Sequence, residues 1–425
     1  MTLVLGAFLL LLFAGAPIGV ALGAPSVLYL LQNDIPLTIL TQRLTQTLNS
    51  FPLLAIPLFI LAGRLMNEGG ITRRIFRFAN NLVGAIPGGL GHVNVLASMI
   101  FAGMSGVAIA DIGGLGQIEV KAMKEARYPD RFIAGITAAS AIVGPVIPPS
   151  IPIILFSVAS EASVLALFAG GIVPGLLIGL LLMATVWIWS LRAALPRTPR
   201  PPLREVGTSL LAALPALLAP VLLIGAMLSG VFSPTEAAGV TVLYSMFLTL
   251  VVYRDLPLRG LPGVVRDLVP LVANLSFIIA SALLFAWVLV IEQVPQTLVE
   301  LLLGVSDNKW LLLGLVVVFF LLIGCIMEAS IVFLVVAPMV LPAMQTLGIS
   351  EVHFGIVTVV AMGIGMYTPP VGIALYMIQE LCGISFEEAV KSVAPFIVTL
   401  LVALALLTFV PEIVTWLPER LGLVY

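Results

Sequence analysis

Charged residues are absent from stretch after stretch of this chain: 1–33, 44–63, 78–110, 132–160, 162–191, 206–235, 237–253, 268–291, 310–327, 329–350, 354–379 and 392–411. About 20 apolar residues are needed for a helix to cross the hydrocarbon core, so most of these runs are long enough to span. The crossings read from them are 4–31, 46–65, 132–159, 163–190, 208–230, 235–253, 268–291, 354–380 and 393–415. Across 425 residues only 9% are charged and mean hydropathy is +1.20. A soluble domain carries about a quarter charged residues, so lipid is the expected solvent. A net charge of −2 without a basic tail speaks against nucleic acid. The N-terminus lacks the charged start and small-residue cleavage site of a signal peptide, so the first apolar run is expected to be retained.

The basic residues orient these crossings. Sixteen of the 19 Lys and Arg fall on one side, among them Arg73, Arg74, Arg77, Lys121, Lys124, Arg127, Arg131 and Arg192; Arg43, Lys309 and Arg420 fall on the other. The richer side is read as cytoplasmic, with the N-terminus inside. This split requires 93–120 and 311–341 to enter and leave on the same face, which makes each a re-entrant hairpin.

The chain also repeats itself. At an offset of 221, Gly103 meets Gly324, Ala122-Met123 meets Ala343-Met344, Thr137 meets Thr358, Gly144 meets Gly365 and Pro148-Pro149 meets Pro369-Pro370. Lys121, Lys124, Arg127 and Arg131 have uncharged counterparts, so the copies lie upside-down with respect to each other. Chance similarity among apolar residues is the competing explanation. The expected fold is an all-α polytopic membrane protein of two inverted repeats, each with a re-entrant hairpin and a broken transmembrane helix. The first repeat spans 1–190, a loop and connecting helix 191–230, and the second repeat 231–425. Such repeats with interrupted helices mark secondary transporters.

Two crossings, 132–159 and 354–380, carry Pro-Pro in mid-membrane. Each proline removes an amide donor and blocks the carbonyl a turn earlier. In lipid the freed carbonyls need partners. A hard cation such as Na⁺ is one; neighbouring helices around a plain kink are the alternative. The hairpins hold small-residue turns, Gly103-Met104-Ser105-Gly106 and Gly324-Cys325-Ile326-Met327-Glu328, where backbone can approach an ion or a substrate. Asp111 and Glu328 are carboxylates deep in uncharged runs, read as functional or as caps of hairpin helices. Ser233-Pro234-Thr235-Glu236 reads as a capping box, and Arg73, Arg74 and Arg77 as the polar face of an interfacial helix. Cys325 and Cys382 give no disulfide framework, and His92 and His353 have no ligand-spaced partners.

The runs Met104-Ser105-Gly106 with Ala110-Asp111, Gly144-Pro145 through Pro152, Ser233-Pro234-Thr235-Glu236-Ala237-Ala238 and Thr368-Pro369-Pro370-Val371-Gly372 resemble the large membrane subunit of the tripartite ATP-independent periplasmic (TRAP) transporters. The likeness covers nearly the whole chain. It implies an elevator-type transporter in a bacterial inner membrane, with Na⁺ as coupling ion and no other cofactor. It also implies a small four-helix membrane partner and a periplasmic substrate-binding protein that delivers a small carboxylate. By motif position, a first sodium site would use Ser105, Ala108, Gly144, Ile147 and Pro149. A second would use Gly324, Glu328, Gly365 and Thr368, with Glu328 where the family usually has Asp. Gly106, Asp111, Ser150 and Pro370 would lie near the substrate. Val107 stands where the family often has Ser. The competing functions are a stand-alone sodium/dicarboxylate symporter and an ion channel. An enzyme is disfavoured, because no metal-ligand cluster, nucleophile constellation or P-loop is evident.

Overall fold

The computed structural model describes residues 2–106, 108–193 and 195–424, the side chains of Leu48 and Ser105 excepted. Among the described residues every regular element is a helix. Seven helical stretches among the described residues are long and apolar enough to cross a membrane: Phe51–Glu68, Val164–Ala193, Leu203–Leu228, Pro234–Val252, Leu258–Ile291, Ala329–Thr346 and Phe386–Phe409.

Some expected crossings are divided. The run 4–31 forms two helices, Thr2–Phe13 and Ile18–Gln32, parted at 14–17 where Gly15 takes φ +76° and Pro17 is extended. The run 46–65 begins as a crossing only at Phe51, behind a separate helix Thr38–Leu48. Asn49 and Ser50 intervene, and such residues hydrogen-bond backbone and favour caps over helix interiors. The run 393–415 stops at Phe409, and Pro411 starts a further short helix, Glu412–Arg420.

The 221-residue echo extends to the element boundaries. One hairpin is the limb Gly89–Ser105 with the return helices Ala108–Gly113 and Leu115–Glu125; the other is Lys309–Gly324 with helix from Ala329 to Thr346. Glu125 and Thr346 end the return limbs at equivalent positions, and Asp130 and Glu351 begin the next helices at equivalent positions. Those helices, Asp130–Ala141 and Glu351–Gly365, are buried on nearly every side, as apolar helices at the centre of a bundle are. After each break the helix resumes, at Ile151 in one copy and Ile373 in the other. A helix precedes each hairpin too: Ile71–Val83, with three arginines, and Val294–Val305, with no cation. Between the two hairpins lie five crossings, the first of them broken. This odd number turns the second copy upside-down.

Two capping boxes fix helix starts, the first of them expected. The Ser233 hydroxyl accepts from the Glu236 amide while the Glu236 carboxylate accepts from the Ser233 amide, and Ser385 and Glu388 repeat the pattern ahead of Phe386–Phe409. The arginine helix is held by one residue in particular. Arg74 stacks 4.0 Å over the Tyr253 ring, pairs with Asp255 and donates to the carbonyls of Gly69 and Gly70.

Candidate functional site

Each hairpin tip meets the helix break of its own half, backbone against backbone. In the first half Asp130–Ala141 loosens into turns over 142–149, and both prolines are followed by Ser150, which caps Ile151–Ser160. The Pro148-Pro149 bond is cis, as is Pro369-Pro370. The Ile151 amide donates outward, to the Gly106 carbonyl at 3.3 Å. Gly106 sits at φ +62°, and a Cβ there would run into the Pro149 carbonyl oxygen. Only glycine allows that approach. Among the described residues nothing donates to the carbonyls of Gly144, Ile147 or Pro149. The Ser150 hydroxyl is engaged, donating to the Pro145 carbonyl and accepting from the Ile153 amide.

The second half repeats this with different residues. Gly324 and Gly365 touch directly: a Cβ on Gly365 would lie 2.7 Å from Gly324 Cα. The Gly372 amide donates to the Cys325 carbonyl at 3.1 Å, and the Ala374 amide reaches across the break to Met366 at 3.1 Å. Thr368 donates its hydroxyl to the Ile364 carbonyl at 2.9 Å, leaving its lone pairs free. Nothing described donates to the carbonyls of Gly324 or Thr368. The two breaks differ in one respect. Residues 143–150 are buried or nearly so, whereas Pro369, Pro370 and Val371 are exposed.

The halves interlock. Ile151–Ser160 packs against the second hairpin's return limb, and Ile373–Cys382 packs against Ala108–Gly113 of the first hairpin. Every site residue expected from sequence therefore falls at one of two junctions or on a hairpin limb beside them. Ser105 and Ala108 flank the first tip; the Ser105 side chain is not described, and Val107 lies outside the described residues. Glu328 proves to be a cap: its carboxylate accepts from the Ser330 amide and hydroxyl, both at 2.9 Å, opening the return limb. Asp111 is buried in the first turn of Ala108–Gly113, on the return side of the first hairpin.

The polar cluster around Asp111 carries no sequence motif. Glu119 is as buried as Asp111, at 2% exposure, and its Oε2 accepts from Asn94 Nδ2 at 2.7 Å; the same amide donates to Thr137 Oγ1 at 3.1 Å. Glu119 closes the expected hairpin 93–120 beside Lys121, Lys124 and Glu125, outside every charge-free run. The available signal was spacing: Leu115, Glu119 and Met123 recur every fourth residue along the buried face of Leu115–Glu125.

Comparison with known proteins supplies the rest. The family described as "Tripartite ATP-independent periplasmic transporter, DctM component" matches residues 5–413. The sialic acid TRAP transporter large permease protein SiaM of Vibrio cholerae is 41% identical over 410 residues, 96% of each chain. The C4-dicarboxylate TRAP transporter large permease protein DctM of Pseudomonas aeruginosa is 41% identical over 381 residues, 90% of this chain and 89% of that one. A crystal structure of the Alcanivorax borkumensis YdaH transporter, described as having an unusual topology, superimposes with a TM-score of 0.62 over 89% of both chains; at 18% identity that likeness concerns the fold alone. With hairpin tips docked on broken helices and family likeness running nearly from end to end, this multi-pass membrane chain belongs to the DctM components of the tripartite ATP-independent periplasmic transporters.

Proposed function

We propose that the chain is the transporting subunit of a sodium-driven importer of a small organic carboxylate in a bacterial inner membrane. It works with a small four-helix membrane subunit and a periplasmic binding protein, and its N-terminus is cytoplasmic. The observation that carries this reading is the paired junction: in each half, carbonyls freed by a Pro-Pro break lie beside a glycine hairpin tip. Carbonyl oxygens suit a hard cation. The helices that restart at Ile151 and Ile373 present their N-termini at the same junctions, and a helix N-terminus favours an anion. The two relatives above are named for sialic acid and a C4-dicarboxylate, both carboxylates.

Packing supports an elevator movement. The hairpins and broken helices pack on one another and on Val164–Ala193 and Phe386–Phe409. Ile18–Gln32, Phe51–Glu68, Leu203–Leu228, Pro234–Phe247 and Leu261–Ile291 form a second group with its own mutual contacts. In this reading the first group carries the cargo and the second is the scaffold. Uptake of a radiolabelled carboxylate into proteoliposomes tests it, with sodium outside replaced by potassium. Sodium-dependent, saturable uptake is expected; uptake indifferent to the exchange rejects the coupling. Uptake that needs no binding protein would instead identify a stand-alone symporter, and a non-saturating conductance a channel.

A further inference from the structure

We propose that the first hairpin holds a hard-cation site of its own, away from the helix breaks, formed by Asn94, Ser98, Asp111 and Glu119. The four side chains are at most 2% exposed. Asn94 and Ser98 lie one turn apart on the same face of Gly89–Ser105. Ala108–Gly113, which carries Asp111, packs against both Gly89–Ser105, which carries Asn94 and Ser98, and Leu115–Glu125, which carries Glu119. Asn94 spends both its donated hydrogen bonds on Glu119 Oε2 and Thr137. Among the described residues four buried oxygens find no partner: Asn94 Oδ1, Ser98 Oγ, Asp111 Oδ1 and Glu119 Oε1.

Every unmet atom is an oxygen able to accept. Among the described residues no Lys or Arg pairs with either carboxylate. Two neighbouring carboxylates in a dry interior are costly unless neutralised. A proton shared between them serves two oxygens at most. A hard cation takes several oxygens at once and brings the opposite charge. The Tyr367 hydroxyl, fully buried and without a partner among the described residues, directly precedes the second break, and Ile373–Cys382 beyond that break packs on Ala108–Gly113, which carries Asp111. The site would thus connect the first hairpin to Thr368-Pro369-Pro370 in the other half.

The test is equilibrium dialysis of the full chain in detergent against radioactive sodium and calcium, with magnesium as competitor. For one of these cations the native protein is expected to bind one more equivalent than Glu119→Gln or Asp111→Asn. Ser98→Ala should retain that equivalent with roughly tenfold weaker affinity, and Ser385→Ala, which touches only a helix cap, should leave it unchanged. If Glu119→Gln does not fold, Asp111→Asn decides alone. Equal binding by native and Asp111→Asn protein for all three cations overturns the proposal. The coupling-ion reading stands or falls separately, on the sodium dependence of uptake.

Discussion

The Gly372 amide donates to the Cys325 carbonyl at 3.1 Å, and 221 residues earlier the Ile151 amide donates to the Gly106 carbonyl at 3.3 Å. Equivalent donors, each at the restart of a broken helix, thus bind equivalent hairpin tips. A hydrogen bond of this kind contributes about 1 kcal/mol. Its larger effect is geometric, holding tip and break at backbone contact so that unpaired carbonyls gather at one place.

The glycines that permit this contact should tolerate no side chain. Gly106→Ala meets the Pro149 oxygen and a positive φ, and Gly365→Ala meets Gly324. Each is expected to cost about 1–3 kcal/mol through overpacking, lower the unfolding midpoint in detergent, and abolish most uptake. Gly304→Ala, with open space around its Cβ, is the matched control and should be neutral.

Thr368→Ala removes a hydroxyl whose hydrogen goes to Ile364 and whose lone pairs are free. If a sodium ion sits at the second junction, the sodium concentration giving half-maximal uptake rises about tenfold, the equivalent of 1.4 kcal/mol. Unchanged sodium dependence would remove Thr368 from the ion site.

Arg74→Ala gives up a ring stack and an ion pair that tie Ile71–Val83 to the 253–255 turn, together with two hydrogen bonds to the carbonyls of Gly69 and Gly70 ahead of its own helix. A loss of about 1–2 kcal/mol is expected, read as a lower unfolding midpoint. Arg74→Lys should recover only part of it, because an ammonium lacks the planar face that stacks on Tyr253.

Ser233→Ala and Ser385→Ala each break a capping box ahead of a crossing helix. Each is expected to lower stability by about 1 kcal/mol while leaving the sodium dependence of uptake untouched. A double variant should show the sum, since the two caps head different helices and share no hydrogen-bond partner.

Apolar run length, the positions of 19 cations and two Pro-Pro pairs at one offset were enough to read a helical membrane fold, its hairpins and both broken helices. These are local or periodic signals, and a bilayer leaves a chain few other solutions because each backbone polar group must be satisfied within the protein. What pairs with what was decided only in three dimensions. Glu328 turned out to cap the second hairpin's return limb, a role that depends on the Ser330 amide pointing back at it. Asp111 and Glu119 share one buried cluster because the hairpin folds its return limb against Gly89–Ser105 and brings Asn94 between Glu119 and Thr137. Charge spacing along the chain leaves Glu119 unmarked at the end of the hairpin run; the packing of one helix face gives it to the core.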